Sequence, residues 1–172
     1  MADVLPSVNE LDIFTTLRAF ILTLVGCEVI RGQVNRVAMP VGDFIALTPI
    51  SQVPLETNTD TYTTTSKSVE RPIRYTIQVD CYGVLAGDRA STIAAMLRDN
   101  YAVDQFALLG FDMAPLYAED AHQMPLVDGE DQYTERWTFI AALQINPVIA
   151  VPESTAGTLT AGIINVDATY PA

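Results

Sequence analysis

Among the residues able to do acid–base or metal chemistry, the one histidine of the chain, His122, has the most suggestive setting. It stands in the run AEDAHQMP beside Glu119 and Asp120, and an imidazole next to carboxylates can serve as a general base or as one ligand of a metal. No second histidine exists and no cysteine lies at ligand spacing, so the run reads as a solvated loop. The acids Asp128, Glu130 and Asp131 lack the ordered spacing and late glutamate of a calcium loop; they read as turn residues and surface charge. Gly83 and Gly87 flank a strand-to-helix loop, where phosphate cradles form, but the Lys and Ser or Thr of a P-loop are absent and Asp88 would repel phosphate. No serine occupies a G-x-S-x-G elbow. The sequence therefore predicts no catalytic residue, no metal and no cofactor, and the chain is not expected to be an enzyme.

Charge and cysteine usage narrow the classes further. A net charge of −12 with only nine basic residues argues against wrapping nucleic acid, because phosphate binding needs clustered Lys and Arg. Cys27 and Cys81 sit in apolar runs without CxxC spacing, which predicts buried, reduced thiols of a cytoplasmic protein rather than a disulfide scaffold. Residues 1–6 lack the basic start of a signal peptide, and the most apolar run, residues 19–25, is far shorter than the roughly 20 residues of a membrane span. No membrane partner is expected. At 172 residues and 49% apolar composition, one domain is the simplest organisation.

The elements that would position these residues centre on residues 74–101. Tyr75, Ile77, Val79 and Cys81 alternate with Arg74, Thr76, Gln78, Asp80 and Tyr82, as a half-buried strand requires. After Gly83 the period changes: Ile93, Met96, Leu97 and Tyr101 share a helical face over residues 89–101, with Asp88 as a candidate cap. Residues 133–145 put Tyr133, Trp137, Phe139, Ala141, Leu143 and Ile145 on one face, making the natural partner strand. A first helix over residues 10–25 is predicted from a Ser7/Glu10 capping box, from Leu11, Phe14, Leu17, Ile21, Leu22 and Val25 at helical spacing, and from Gly26 as a stop. Ile13, Phe20 and Leu24 widen its stripe, so it is covered either by the sheet and a second helix or by another subunit. A short strand broken at Gly32 precedes a strand over residues 43–50, apolar on both faces and ended by Pro49.

Residues 57–70, TNTDTYTTTSKSVE, carry one aromatic and almost no core-forming side chain, yet threonine favours extended backbone. A long polar hairpin and a structureless loop both fit; loops of that length are uncommon inside a compact domain. Tyr62, isolated in this run, is a candidate anchor for a partner. The predicted architecture is α+β: a mainly antiparallel sheet with two helices packed on one face, a long polar β-hairpin arm and an extended C-terminal tail. Residues 1–147 form the single domain, and 148–172 the tail.

The segments VIRGQVNRVAMPVGDFIALTPI, IQVDCYG and PLYAEDAHQMPLVDGEDQYTERWTFIAALQINP, in that order, resemble the neck or tail-terminator (tail-completion) proteins of tailed bacteriophages, especially contractile-tailed ones. The resemblance runs from about Glu10 to Asn146 and rests on Arg31, Asn35, Arg36 and residues 42–48, 79–83, 123–125 and 133–137. None of these is a catalytic signature; their order and combination carry the likeness. It implies a structural virion protein whose copies form a hexameric ring at the head–tail junction, assembled in the host cytoplasm. The implied partners are head-completion or connector proteins and tail tube and sheath proteins, with genomic DNA only passing non-specifically through the ring. A tail-tube or tube-initiator subunit is the near alternative; a small-ligand-binding enzyme with a ferredoxin-like sheet is the distant one, favoured by a bound cofactor or a cleft of converging polar groups. A closed ring needs two different surfaces per subunit. The arm residues Thr59, Tyr62, Thr64 and Lys67 and the tail residues Leu159, Ile163, Ile164 and Val166 are the candidate oligomer interface.

Overall fold

Asn9, not Ser7, begins the first helix in this computed structural model, which describes residues 4–34, 38–124, 126–127 and 133–153. The Asn9 side chain accepts from the Asp12 amide at 3.1 Å and the Asp12 carboxylate accepts from the Asn9 amide at 2.9 Å, so two otherwise unpaired N–H groups are satisfied reciprocally. Ser7 is engaged elsewhere: its amide donates to the Val148 carbonyl and its hydroxyl accepts from the Val148 amide, both at 2.9 Å. Helix α1 (Glu10–Leu24) buries Ile13, Phe14, Thr16, Leu17, Phe20 and Ile21. Leu11 and Leu22 of the predicted stripe fall on the opposite, exposed face with Thr15 and Arg18. The chain leaves the helix in an extended conformation at Val25, one residue before Gly26.

Strand β1 (Glu28–Arg31) pairs in parallel with β2 (Phe44–Pro54). Phe44, Ile45, Ala46 and Leu47 are buried on both faces, as expected. Pro49 does not end β2. The pairing register shifts between Pro49 and Ser51, and at such an irregularity a residue without an N–H is tolerated. Next come β3 (Thr59–Tyr62), β4 (Ser66–Glu70) and β5 (Ile73–Tyr82). The expected single helix over 89–101 is two helices, α2 (Ala86–Leu97) and α3 (Asn100–Leu108). Asp88 lies inside the first turn of α2, which has no side-chain cap; Asp99 separates the helices by accepting from the Tyr101 amide at 2.8 Å, which caps α3. The remaining strands are β6 (Met113–Ala118), β7 (His122–Gln123), β8 (Leu126–Val127), β9 (Tyr133–Thr134), β10 (Arg136–Ile145) and β11 (Val148–Pro152).

The fold is α+β and mainly antiparallel. Its main sheet has the order β1-β2-β5-β10-β6, with β7 also on β10, so β5 is central and antiparallel to both neighbours. Tyr75, Ile77, Val79 and Cys81 of β5 and Phe139, Ala141, Leu143 and Ile145 of β10 are buried on one face, in one core with the inward residues of all three helices. Phe20 of α1 meets Phe106 of α3 edge-on at 5.6 Å between ring centres, so the sheet and another helix of the same chain cover α1. Tyr133, expected on the core face, is exposed because β9 pairs with β8 in a separate two-stranded ribbon.

Candidate assembly surfaces

The polar run 57–70 contains β3 and β4, paired antiparallel, and β11 pairs with β4 on the other side. β4 passes into β5 across Arg71 and Pro72, and β10 passes into β11 across Asn146 and Pro147. The ladder bridges this junction, with the Arg71 amide donating to the Pro147 carbonyl at 3.1 Å and the Leu55 amide to the Pro72 carbonyl at 3.0 Å. The β3-β4-β11 sheet is therefore an outgrowth of the central β2-β5-β10 strands, in the same lateral order. None of its side chains belongs to a hydrophobic core cluster.

Period-two alternation and the observed register place Asp60, Tyr62, Lys67, Val69, Ile149 and Val151 on one face of this sheet. The Lys67 ammonium lies 2.7 Å from the Asp60 carboxylate and 5.3 Å from the Tyr62 ring centre. Hydrogen bonding to Asp60, then to Tyr62, raises the Lys67 pKa and keeps the cation charged. Tyr62 is 61% exposed. Of the expected interface residues, the structure thus brings Tyr62 and Lys67 together, sets Thr59 on the opposite face and places Thr64 in the turn. Leu159, Ile163, Ile164 and Val166 lie outside the described residues. The Thr63 hydroxyl accepts from the Ser66 amide at 3.0 Å and closes the turn. Among the described residues, β3 pairs on one side only, and all four of its residues are exposed.

The far end of the same strands carries a second surface, on the sheet face turned away from the helices. Phe44 and Tyr82 stack at 4.4 Å, and with Ala46 they form a small apolar cluster separate from the main core. It floors a groove of about 460 Å³, with the exposed Val34 and Met39 among its lining residues. Asp80 borders the groove and is buried, accepting from the Arg136 guanidinium at 2.9 and 3.1 Å and from the Gln78 amide at 2.9 and 3.0 Å. Burial raises the Tyr82 pKa, with Asp80 adding to the effect and Arg136 opposing it. Alternation alone put Asp80 on the polar side of β5; the missed signal was Arg136 in the facing strand, whose register sets Thr138 opposite Asp80 and Arg136 two pairs further on, on the same face.

His122 is exposed and pairs with Thr138 in the β7–β10 ladder, while the neighbouring Asp120 accepts from Arg98 at 2.8 Å. Gly83 has φ +103°, and a Cβ there would run into the Asp43 carboxylate, which itself pairs with Arg89 at 2.7 Å. Gly87 packs against the Trp137 indole. Asp128, Glu130 and Asp131 lie outside the described residues, and among those described no three His, Cys, Asp or Glu are placed to hold a metal. Cys27 and Cys81 are free; burial pushes the Cys81 thiol up to about 12 and raises that of Cys27.

An edge strand on a protruding sheet at one end and an apolar groove at the other can dock other chains. A comparison with curated proteins returns no match. Residues 11–170 match the family model of the phage neck terminator protein, so the chain belongs to the phage neck terminator family and is a structural protein of the virion neck.

Proposed function

We propose that copies of this chain close a contractile phage tail as a hexameric, head-to-tail ring. The ring docks head-completion or connector proteins on one side and the tail tube and sheath on the other, and genomic DNA passes through its centre without specific contact. Residues 1–147 form the body of each subunit and residues 148–172 its C-terminal tail, and the subunit assembles in the host cytoplasm before joining the virion. The observation that carries this reading is β3, an edge strand among the described residues whose four residues are all exposed, in a sheet that no core cluster includes. An edge strand can add to a neighbour's sheet through main-chain hydrogen bonds without a large apolar patch on the free subunit. The net charge of −12 suits a lumen that does not hold DNA tightly.

Deleting residues 59–67 tests the assignment, with light scattering for mass and circular dichroism for fold. The expected product is a folded monomer. Full-stoichiometry rings from the deletion would move the interface to the helices and main-sheet edges; open stacks from the intact chain would favour a tube subunit. His122→Ala is expected to leave assembly and infectivity unchanged, because the side chain is exposed. Lost infectivity with intact rings would mean that this strand contacts a partner.

A further inference from the structure

We propose that the three-stranded arm sheets of successive copies join edge to edge, β3 of one subunit pairing in parallel with β11 of the next and Thr61 lying opposite Ala150. The arms then close into one intersubunit β-barrel. The inference rests on the ring reading and names the two unlike surfaces that such a ring requires.

Edge chemistry selects these strands. In the main sheet the Val29 carbonyl of β1 accepts from the Arg18 guanidinium at 3.0 Å and the Ala118 carbonyl of β6 from Arg98 at 2.6 Å, while Pro115 brings no N–H to β6. Edges guarded in this way resist strand addition. β3 has no such guard. The Thr63 amide donates to the Ser66 carbonyl, so by alternation Thr59 and Thr61 turn their backbone groups to β4, and Asp60 and Tyr62 turn theirs outward. Among the described residues these outward groups have no hydrogen bond. β11 offers the counterpart. The Glu153 amide donates to the Thr65 carbonyl and the Arg71 amide to that of Pro147, so Ile149 and Val151 face β4, and Val148, Ala150 and Pro152 face away from it. Ser7 occupies both backbone groups of Val148, and Pro152 has no N–H. The exposed Ala150 therefore keeps the one free donor–acceptor set of this edge among the described residues.

In a parallel ladder a residue donates to the carbonyl just before its opposite number and accepts from the amide just after it. Ala150 opposite Thr61 thus donates to Asp60 and accepts from Tyr62, and this register alone uses both outward residues of β3. Direction agrees. β3 and β11 both run antiparallel to β4, hence parallel to each other, and rotation about an axis along the arm preserves that relation. Because the two edges belong to one sheet, every added copy presents a free β3 again, and only closure ends the series. Six copies of a three-stranded sheet make eighteen strands; at about 4.8 Å spacing and about 40° tilt these close at about 36 Å between backbones, a size that leaves an open channel. Thr59, Thr61, Ser66, Ser68 and Glu70 share the face of Ala150, which alternation continues into the helix-free side of β5. That face lines the channel, and the helices lie outside.

The test is a disulfide that can form only between copies. Within one chain Thr61 and Ala150 are two strand spacings apart across Ser68, about 9.6 Å, beyond the roughly 7 Å that a disulfide spans between Cα atoms. Full-length Thr61→Cys/Ala150→Cys, assembled and then oxidised, is expected to give a ladder of linked subunits on a non-reducing gel, ending at the closed ring. An equimolar mixture of the two single variants should give linked pairs, and either single variant alone none. In parallel, Ala150→Pro removes only an outward N–H, which an edge strand tolerates; it is expected to keep its circular dichroism and to weaken ring association by about tenfold. Rings without links, or full ring stability in folded Ala150→Pro, would overturn the pairing while the ring stands, and would leave β3 to the chain's own tail or to another protein. Links from Thr61→Cys alone would show β3 meeting β3 and would overturn it too. An unmodified chain that forms no ring would overturn the ring reading first.

Discussion

Asp80 shows how a single residue ties the two central strands together. Asp80 is 4% exposed and its carboxylate is held by Arg136 and Gln78, so removing one partner leaves a buried charge without compensation, whereas removing both does not. Arg136→Met is expected to cost about 2 kcal/mol in urea denaturation, and Asp80→Asn combined with Arg136→Met should recover most of it; an additive double loss would contradict the pairing. Cys81 gives a pH dependence. Its thiol rises from 9.0 to about 12 in the folded chain, first through burial and then through Cys27 and Asp80. A raised folded-state pKa contributes stability in full below the unfolded value and loses it as pH climbs to the folded one. Stability should therefore fall between about pH 9 and 12, and Tyr75, raised from 10.0 to about 12 by burial and then Glu10, acts in the same direction. Cys81→Ala should flatten the urea midpoint over that window, and an unchanged slope would show that the thiol is not the cause.

At the scale of elements, the loop between β5 and α2 depends on one glycine. Gly83→Ala must adopt φ +103° and displace Asp43 from its pairing with Arg89, so a loss of about 2 kcal/mol is expected by thermal or urea unfolding; a loss near zero would mean that the loop rearranges freely. Elements whose faces differ strongly were legible from pattern alone. The alternation of β5 and of residues 133–145 predicted their faces, apart from Tyr133, because a strand between a core and a polar side must alternate. Boundaries decided by competition were not. Ser7 lost the cap to Asn9 because Val148, remote in sequence, engages both its amide and its hydroxyl. Pro49 did not end β2 because a register shift absorbs its missing donor, and Asp88 did not cap α2 because that helix starts at Ala86. The polar run 57–70 was legible as extended chain, whereas its continuity with the central strands depends on β11, which its composition cannot report.

For the whole molecule, the layout is a helix-backed sheet whose central strands extend into a smaller sheet at one end and floor an apolar groove at the other. The ordered segments of the sequence resembled the family that the match over residues 11–170 establishes. Where the groove lies was not readable, since Phe44, Ala46 and Tyr82 meet only once β2 and β5 are in register. The central claim, that these copies close on themselves, is tested most directly by averaging end-on electron micrographs of the purified full-length chain. The account predicts a closed ring of hexameric symmetry with an open centre; monomers at every concentration, or filaments that never close, would contradict it.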